Sequence, residues 1–463
     1  MTSNGVNDVI AEPRTVAVIG GGLAGCECAW RLARLGFAVR LFEMKPDRFS
    51  PAHSSPDLAE LVCSNSLRSD EPESAVGLLK LEMTDLDSLV MAAARATRVP
   101  AGKALAVDRE LFAEWITRRI RDEPLITLVR EEIRTLDDPK LKDADAVVVA
   151  AGPLAAEELA DDLRRIVGAD HLYFYDAIAP IVAADSIDMN VAFWGSRYNP
   201  EEHDYLNCPM DEETYRRFHA ELLTARKVAA RDFEKAVHFE ACLPIETLAE
   251  RGEMTMAFGP LKPVGLVDPR TGTQAFAVVQ LRAENRDKTA FNLVGFQTKL
   301  AYPEQERVFR LIPGLERAEF LRLGSMHRNT YVEAPSALTP ELELRSRPGI
   351  FLAGQITGVE GYVESAACGL WLGHALAARL QGRVLPPPPP ETALGALLGH
   401  LRTPAKNFQP SNVNFGLMPE LKARGKKAQR KAIRAQRARE AWNAWRGAGG
   451  GSGTDRVKAA LPE

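Results

Sequence analysis

The chain carries no apolar run long enough to be a membrane helix, no ladder of cysteines and almost no net charge. A spanning helix needs about 20 mostly apolar residues, and no uncharged apolar stretch in the 463 residues approaches that length, so no membrane contact is expected. Residues 1–14 lack the apolar core of a secretory signal. The six cysteines stand at 26, 28, 63, 208, 242 and 368. Cys26 and Cys28 have no second pair to complete a zinc-type spacing, so neither a disulfide framework nor a metal site is expected. A reducing, cytoplasmic compartment fits this usage. No internal repeat is present. With 46% hydrophobic and 26% charged residues, the composition is that of an ordinary globular protein and excludes a collagen-like or mostly disordered chain. The length suits two or three domains.

The net charge of −4 conceals an asymmetry. Residues 421–463 hold 12 Lys/Arg and 3 Asp/Glu, a net +9, which leaves −13 on the remainder. An acidic body with a basic tail points towards a polyanionic partner more strongly than the total does.

The first pattern with chemical content begins at Thr15. Thr15 to Ile19 is a short, mostly β-branched strand, and it runs into Gly20, Gly21, Gly22, Leu23, Ala24 and Gly25. A helical stretch follows from Cys26 to Leu35, then a second strand from Phe37 to Phe42 that ends at Glu43. In such a β-α-β unit one glycine allows the tight turn, one lets the backbone approach a pyrophosphate, and one lets the helix pack on the strand. Glu43, 18 residues after Gly25, is placed to bind ribose hydroxyls. The unit predicts adenine-dinucleotide binding. The fold class that follows is α/β, with a Rossmann domain at its base.

Met44 to Asp70 is a long aperiodic loop, of the kind that usually serves function. Helical pattern returns over Ser74 to Ala94 and Asp108 to Arg121, with strands near Ala104 to Val107, Ile126 to Val129 and Ala146 to Ala150. From about His171 to Arg345 the strands lengthen, as in Thr273 to Ala283 and Phe291 to Thr298, and an inserted mixed α/β domain is expected. A strand and turn, Gly349 to Gln355, then lead through Gly358 to Gly361 into a helix from Val363 to Leu380. That turn aims backbone N–H groups at a bound anion, with Gly354 and Gln355 as candidate cofactor contacts; Tyr362 is a candidate to stack on a ligand ring, with a core aromatic at a helix start as its other reading. The expected organisation is a discontinuous dinucleotide domain (14–170 and 346–422), an insert (171–345), a proline spacer (386–390) and a basic, partly flexible tail (423–463).

Five segments stand together in a diagnostic order: Gly20 to Gly25, Leu61 to Arg68, Phe239 to Glu246, Gly358 to Ala366 and Phe408 to Gly416. Over roughly residues 14–422 the chain resembles the folate- and FAD-dependent tRNA uracil-5-methyltransferases, the TrmFO family. Ala241 stands where a glycine is expected before Cys242, and Gly21 where many members have alanine. The resemblance implies a glutathione-reductase-type FAD domain with an insert. It also implies methylation of uridine 54 in the tRNA T-loop, with 5,10-methylenetetrahydrofolate as one-carbon donor and FAD reduced by NADH or NADPH. The two cysteines it places in catalysis map to Cys63 and Cys242, and Cys242 is favoured as the nucleophile towards uracil.

Residue chemistry fits that role. Uracil C5 attacks a carbon electrophile only after a thiolate has added at C6. A base must then take the C5 proton, and a reduced flavin suits the final hydride step. Cys26, Cys28, Cys208 and Cys368 read instead as small buried hydrophobes. Asn65 and Arg68 are candidates for flavin or substrate contact, and His327 and Arg328 for the folate glutamate or RNA phosphate, each with an ordinary structural reading beside it; His53 and His238 are left undecided. Trp442 and Trp445 read either as base-stacking groups or as packing for the tail. Two other activities compete: methylation of a ribosomal RNA uracil by the same chemistry, and an FAD- and NAD(P)H-dependent oxidation of a small molecule.

Overall fold

The computed structural model describes residues 14–168, 172–197, 201–228, 243–406, 408–421 and 426–451. Its N-terminal strand, Thr15–Ile19, is buried from Val16 onward and pairs in parallel with Ala38–Phe42. Five parallel strands form one sheet in the order Ile350–Leu352, Ala146–Val149, Thr15–Ile19, Ala38–Phe42, Ile126–Val129. Such a sheet is covered on both faces, and its strands accordingly read as near-continuous Val, Ile, Leu and Ala. The helix Leu23–Arg34 makes the first crossover and packs against Tyr362–Leu380. Gly369 makes that contact possible, since a Cβ there would fall 2.1 Å from the Ala24 carbonyl oxygen.

A second sheet, antiparallel and six-stranded, runs Phe193–Gly195, Tyr205–Met210, Ala277–Ala283, Ala290–Leu293, Ile181–Ala183, Phe320–Arg322. It has its own core, in which Tyr215, Phe218, Phe296 and Phe309 are fully buried. The chain enters and leaves this part along one antiparallel ribbon, Leu172–Ala177 paired with Met326–Tyr331. A small third sheet, Ser66–Ser69, Ala104–Val107 and Arg98–Val99, lies just beyond Cys63.

Several elements differ from the sequence reading for local reasons. The helix expected over Ser74 to Ala94 is two, Ala75–Asp85 and Leu89–Ala96. Asp87 adopts a left-handed φ of 63° between them, and Ser88 restarts the helix by accepting from Met91 N–H. The strand expected from Thr273 begins at Ala277, because Thr273 closes a turn on Asp268 around Gly272. The next strand stops at Leu293, two residues before Gly295, whose φ is 82°.

The C-terminal region lies against the parallel-sheet body. Trp445 Nε1 donates to the Pro386 carbonyl at 3.1 Å and Trp442 Nε1 to Asp85 at 2.8 Å. Both indoles are buried on one face of the helix Lys427–Gly447, with Ala435 and Ala438. They pack the helix down and are not offered to bases. The proline run is likewise held, with the Thr392 hydroxyl on the Pro389 carbonyl at 2.7 Å. In the glycine run, Gly450 N–H bonds the Trp445 carbonyl at 2.9 Å.

Candidate active site

The glycine turn divides its duties as its geometry requires. Gly20 has a φ of 102°, and a Cβ there would lie 2.6 Å from the Ala150 carbonyl oxygen. A Cβ on Gly25 would fall 1.9 Å from the Gly20 carbonyl oxygen, so this glycine seats the helix on the strand. At Gly22 a Cβ would meet no protein atom within 4 Å. Gly22 caps the helix Leu23–Arg34, whose first turn has no acidic residue and no side-chain cap. Its N–H groups and positive dipole end are left for a ligand's anion. Gly21 N–H is committed elsewhere, to Glu43 Oε2 at 2.8 Å.

Glu43 is buried at the end of its strand and accepts at Oε1 from Lys45 N–H at 3.0 Å. Two backbone donors thus fix a carboxylate in the cleft wall. The cleft runs from the glycine turn past Glu43, Gly152, Gly354 and Gln355 to Tyr362. A cleft with a phosphate-type turn and a fixed carboxylate beside it fits an adenine dinucleotide such as FAD. Gln355 Nε2 is turned to Glu360 Oε2 at 2.8 Å. His53 also lines the cleft; its Nδ1 lies 2.5 Å from Ser50 Oγ, and burial, helped by Lys45, lowers its pKa.

At the Tyr362 end the cleft meets Cys63. The Tyr362 hydroxyl lies 2.9 Å from Cys63 Sγ and accepts from Cys63 N–H at 2.7 Å. Burial, then the neighbouring Cys63, pushes the phenol well above its ordinary pKa. Tyr362 therefore keeps its proton and has it to donate to a thiolate. Cys63 is half-buried, whereas Cys26, Cys28, Cys208 and Cys368 are wholly buried and burial raises each thiol's pKa, that of Cys208 to about 12. Those four are packing residues.

Two arginines that sequence reasoning passed over frame the Cys63 loop. Arg282, from the end of the strand Ala277–Ala283, donates to Asn65 Oδ1 and to Ser64 Oγ, both at 2.8 Å. Burial lowers its pKa, and Asn65 also holds the Ala283 carbonyl at 2.9 Å. Arg109 donates to the Leu61 carbonyl and to Glu284 Oε2 at 2.7 Å. Burial disfavours its charge, but Glu284, Tyr362 and Cys63 together outweigh that and raise its pKa. The only sequence signal was a pair of charged residues, Arg282 and Glu284, closing a mostly apolar strand.

Arg68 pairs with the buried Glu364 at 2.6 Å, and Glu364 also accepts from Val413 N–H at 3.0 Å. Asn65 and Arg68 thus hold the site together from both sides. Cys242 and His238 lie outside the described residues. His327 and Arg328 lie on the entry ribbon, with their side chains outside the described set. Among the described residues no group of three or more His, Cys, Asp or Glu is placed to hold a metal ion, and no helix is long and apolar enough to cross a membrane.

The sequence model of the family described as Glucose inhibited division protein A matches residues 15–384. The methylenetetrahydrofolate–tRNA-(uracil-5-)-methyltransferase TrmFO of Oleidesulfovibrio alaskensis is 67% identical over 422 residues, 91% of this chain and 95% of the relative. The chain belongs to the TrmFO family. The TrmFO of Geobacter sulfurreducens is 60% identical over 423 residues, 91% of this chain and 96% of the relative. Among solved structures, GidA of Aquifex aeolicus superposes with a TM-score of 0.67 at 19% identity, covering 95% of this chain and 74% of that one. That likeness concerns the fold, an FAD-binding Rossmann type bearing an insert.

Proposed function

We propose that the protein methylates C5 of uridine 54 in the tRNA T-loop. The one-carbon unit comes from 5,10-methylenetetrahydrofolate, and NADH or NADPH reduces the FAD. The observation that carries this reading is Cys63 at hydrogen-bond distance from Tyr362, at the end of a cleft built for a dinucleotide. When bound and reduced, FAD supplies the hydride equivalent that completes the methyl group. Gly22, the N-terminus of the helix Leu23–Arg34 and Glu43 would hold its pyrophosphate and ribose, and Gly354, Gln355 and Tyr362 would line the rest of its cleft.

The remaining chemistry belongs to side chains. Cys242 adds its thiolate to C6 of the uracil, which makes C5 nucleophilic, and leaves again by elimination. Cys63 assists, taking the C5 proton as its Sγ becomes S–H, with Tyr362 supplying a hydrogen bond to the thiolate form. Arg282 and Arg109 fix the Cys63 loop through Ser64, Asn65 and Leu61, and their charges favour an anion beside them.

The test uses purified flavoprotein, methylenetetrahydrofolate, NADH or NADPH, and unmodified tRNA or ribosomal RNA transcripts. Ribothymidine at position 54 of tRNA, formed only with folate, is the expected product. Modification of ribosomal RNA alone, or nicotinamide oxidation with no RNA product, would overturn the reading.

A further inference from the structure

The basic C-terminal helix is not an appendage loosely tied to the catalytic body. It carries seven Lys/Arg and one acid, Glu440, in 21 residues. Its four buried residues, Ala435, Ala438, Trp442 and Trp445, recur at spacings of three, four and three, so they occupy one face. Arg430, Arg434 and Arg437, spaced by four and three, share a neighbouring flank. That flank lies along the segment after Val413: the Arg434 guanidinium is 5.8 Å from the Phe415 ring centre, and Arg437 donates to the Pro419 carbonyl at 2.5 Å.

Packing on this side of the body joins the helix to the small sheet beside Cys63. Glu71 stands between two cations, with Lys103 at 2.7 Å and Lys431 at 3.8 Å. On the same small sheet and the helix before it, Arg68, Arg95 and Arg98 each leave 40–47% of their side chain exposed. The acids among them are Glu364, which is buried, Asp70, only 15% exposed, and Glu71 and Glu73, of which Glu73 is exposed. The strand that carries Arg68 begins three residues after Cys63. A body with a net charge of −13 thus keeps several part-exposed cations, each paired with an acid, between the Cys63 loop and the C-terminal helix.

We infer that this surface, extended by the C-terminal helix, is a dock for the phosphate backbone of the RNA substrate, with Arg430 and Lys431 as its outer contacts. The inference rests on the tRNA reading given above. Trp442 and Trp445 serve it indirectly, by fixing the helix so that its charges stand in register with Arg68, Arg98 and Lys103.

The test compares the full-length, FAD-loaded protein with Arg430→Gln/Lys431→Gln and with Arg430→Lys. The double variant should keep its flavin and its kcat while KM for unmodified tRNA rises on the order of fivefold. Its plot of log Kd against log salt should flatten by about 0.7 to 0.9 for each phosphate it no longer neutralises. Arg430→Lys, which keeps the charge, should behave as the parent does. An unchanged KM and salt slope in the double variant overturns the dock. If the parent protein modifies no tRNA, the functional reading itself has failed, which is a separable outcome.

Discussion

The Tyr362 hydroxyl stands 2.9 Å from Cys63 Sγ and also takes the Cys63 N–H, although 299 residues separate the two in sequence. One phenol therefore sets both the backbone and the sulfur of the Cys63 loop. Because burial keeps Tyr362 protonated, it can donate to a thiolate, and a bond to an ionised group contributes about 1.5–3 kcal/mol. Tyr362→Phe should slow methyl transfer by roughly ten- to hundredfold while flavin absorbance per chain is retained. Parent-level turnover would show that the hydroxyl plays no part.

Gly22 and Gly25 separate ligand binding from folding. Gly22→Ala adds a Cβ that meets no protein atom within 4 Å, so the apoprotein should melt as the parent does and yet retain less FAD. Gly25→Ala puts a Cβ 1.9 Å from the Gly20 carbonyl oxygen and should prevent a folded protein from forming. Thermal melting of the apoproteins and flavin absorbance decide both.

How far these features were legible in the sequence follows from their physics. The glycine turn, Glu43 and the first strand are local: spacing and residue type within about thirty residues specify them. The Cys63 environment is not. Arg109, Arg282 and Glu284 meet around the loop only because the insert returns one strand end to it, and nothing in Arg282's own neighbourhood announces that. The break at Asp87 was invisible for another reason: Ser88 is stabilised as a cap by the distant, buried Glu27, to which it donates.

Arg282 ties the insert to the Cys63 loop. Arg282→Met removes the partner of Asn65 Oδ1 and Ser64 Oγ and should cost about 1–3 kcal/mol of stability in urea unfolding. It should also change the rate at which iodoacetamide alkylates Cys63, which a purely global loss of stability would not do under native conditions.

Glu82 caps the helix Ala393–Arg402 by accepting from Ala393 and Leu394 N–H at 2.8 and 2.7 Å. Burial raises its pKa from the ordinary carboxylate value to about 8, and that of Glu27 to about 7. A group that binds its proton more tightly when folded adds stability below its unfolded pKa and loses it as pH rises through the folded one. Stability should therefore fall between about pH 4.5 and 8, and Glu82→Gln, which cannot ionise, should make that fall shallower. Urea midpoints across the range measure the slope.

The central claim is that this flavin cleft delivers a methyl group to tRNA at the Cys63 end. It is tested most directly by nucleoside analysis of unmodified tRNA after reaction with methylenetetrahydrofolate and NADH, comparing FAD-loaded parent protein with equally loaded Cys63→Ala. The parent should form ribothymidine at position 54 and the variant none. Ribothymidine formed by the variant at the parent's rate would contradict the account.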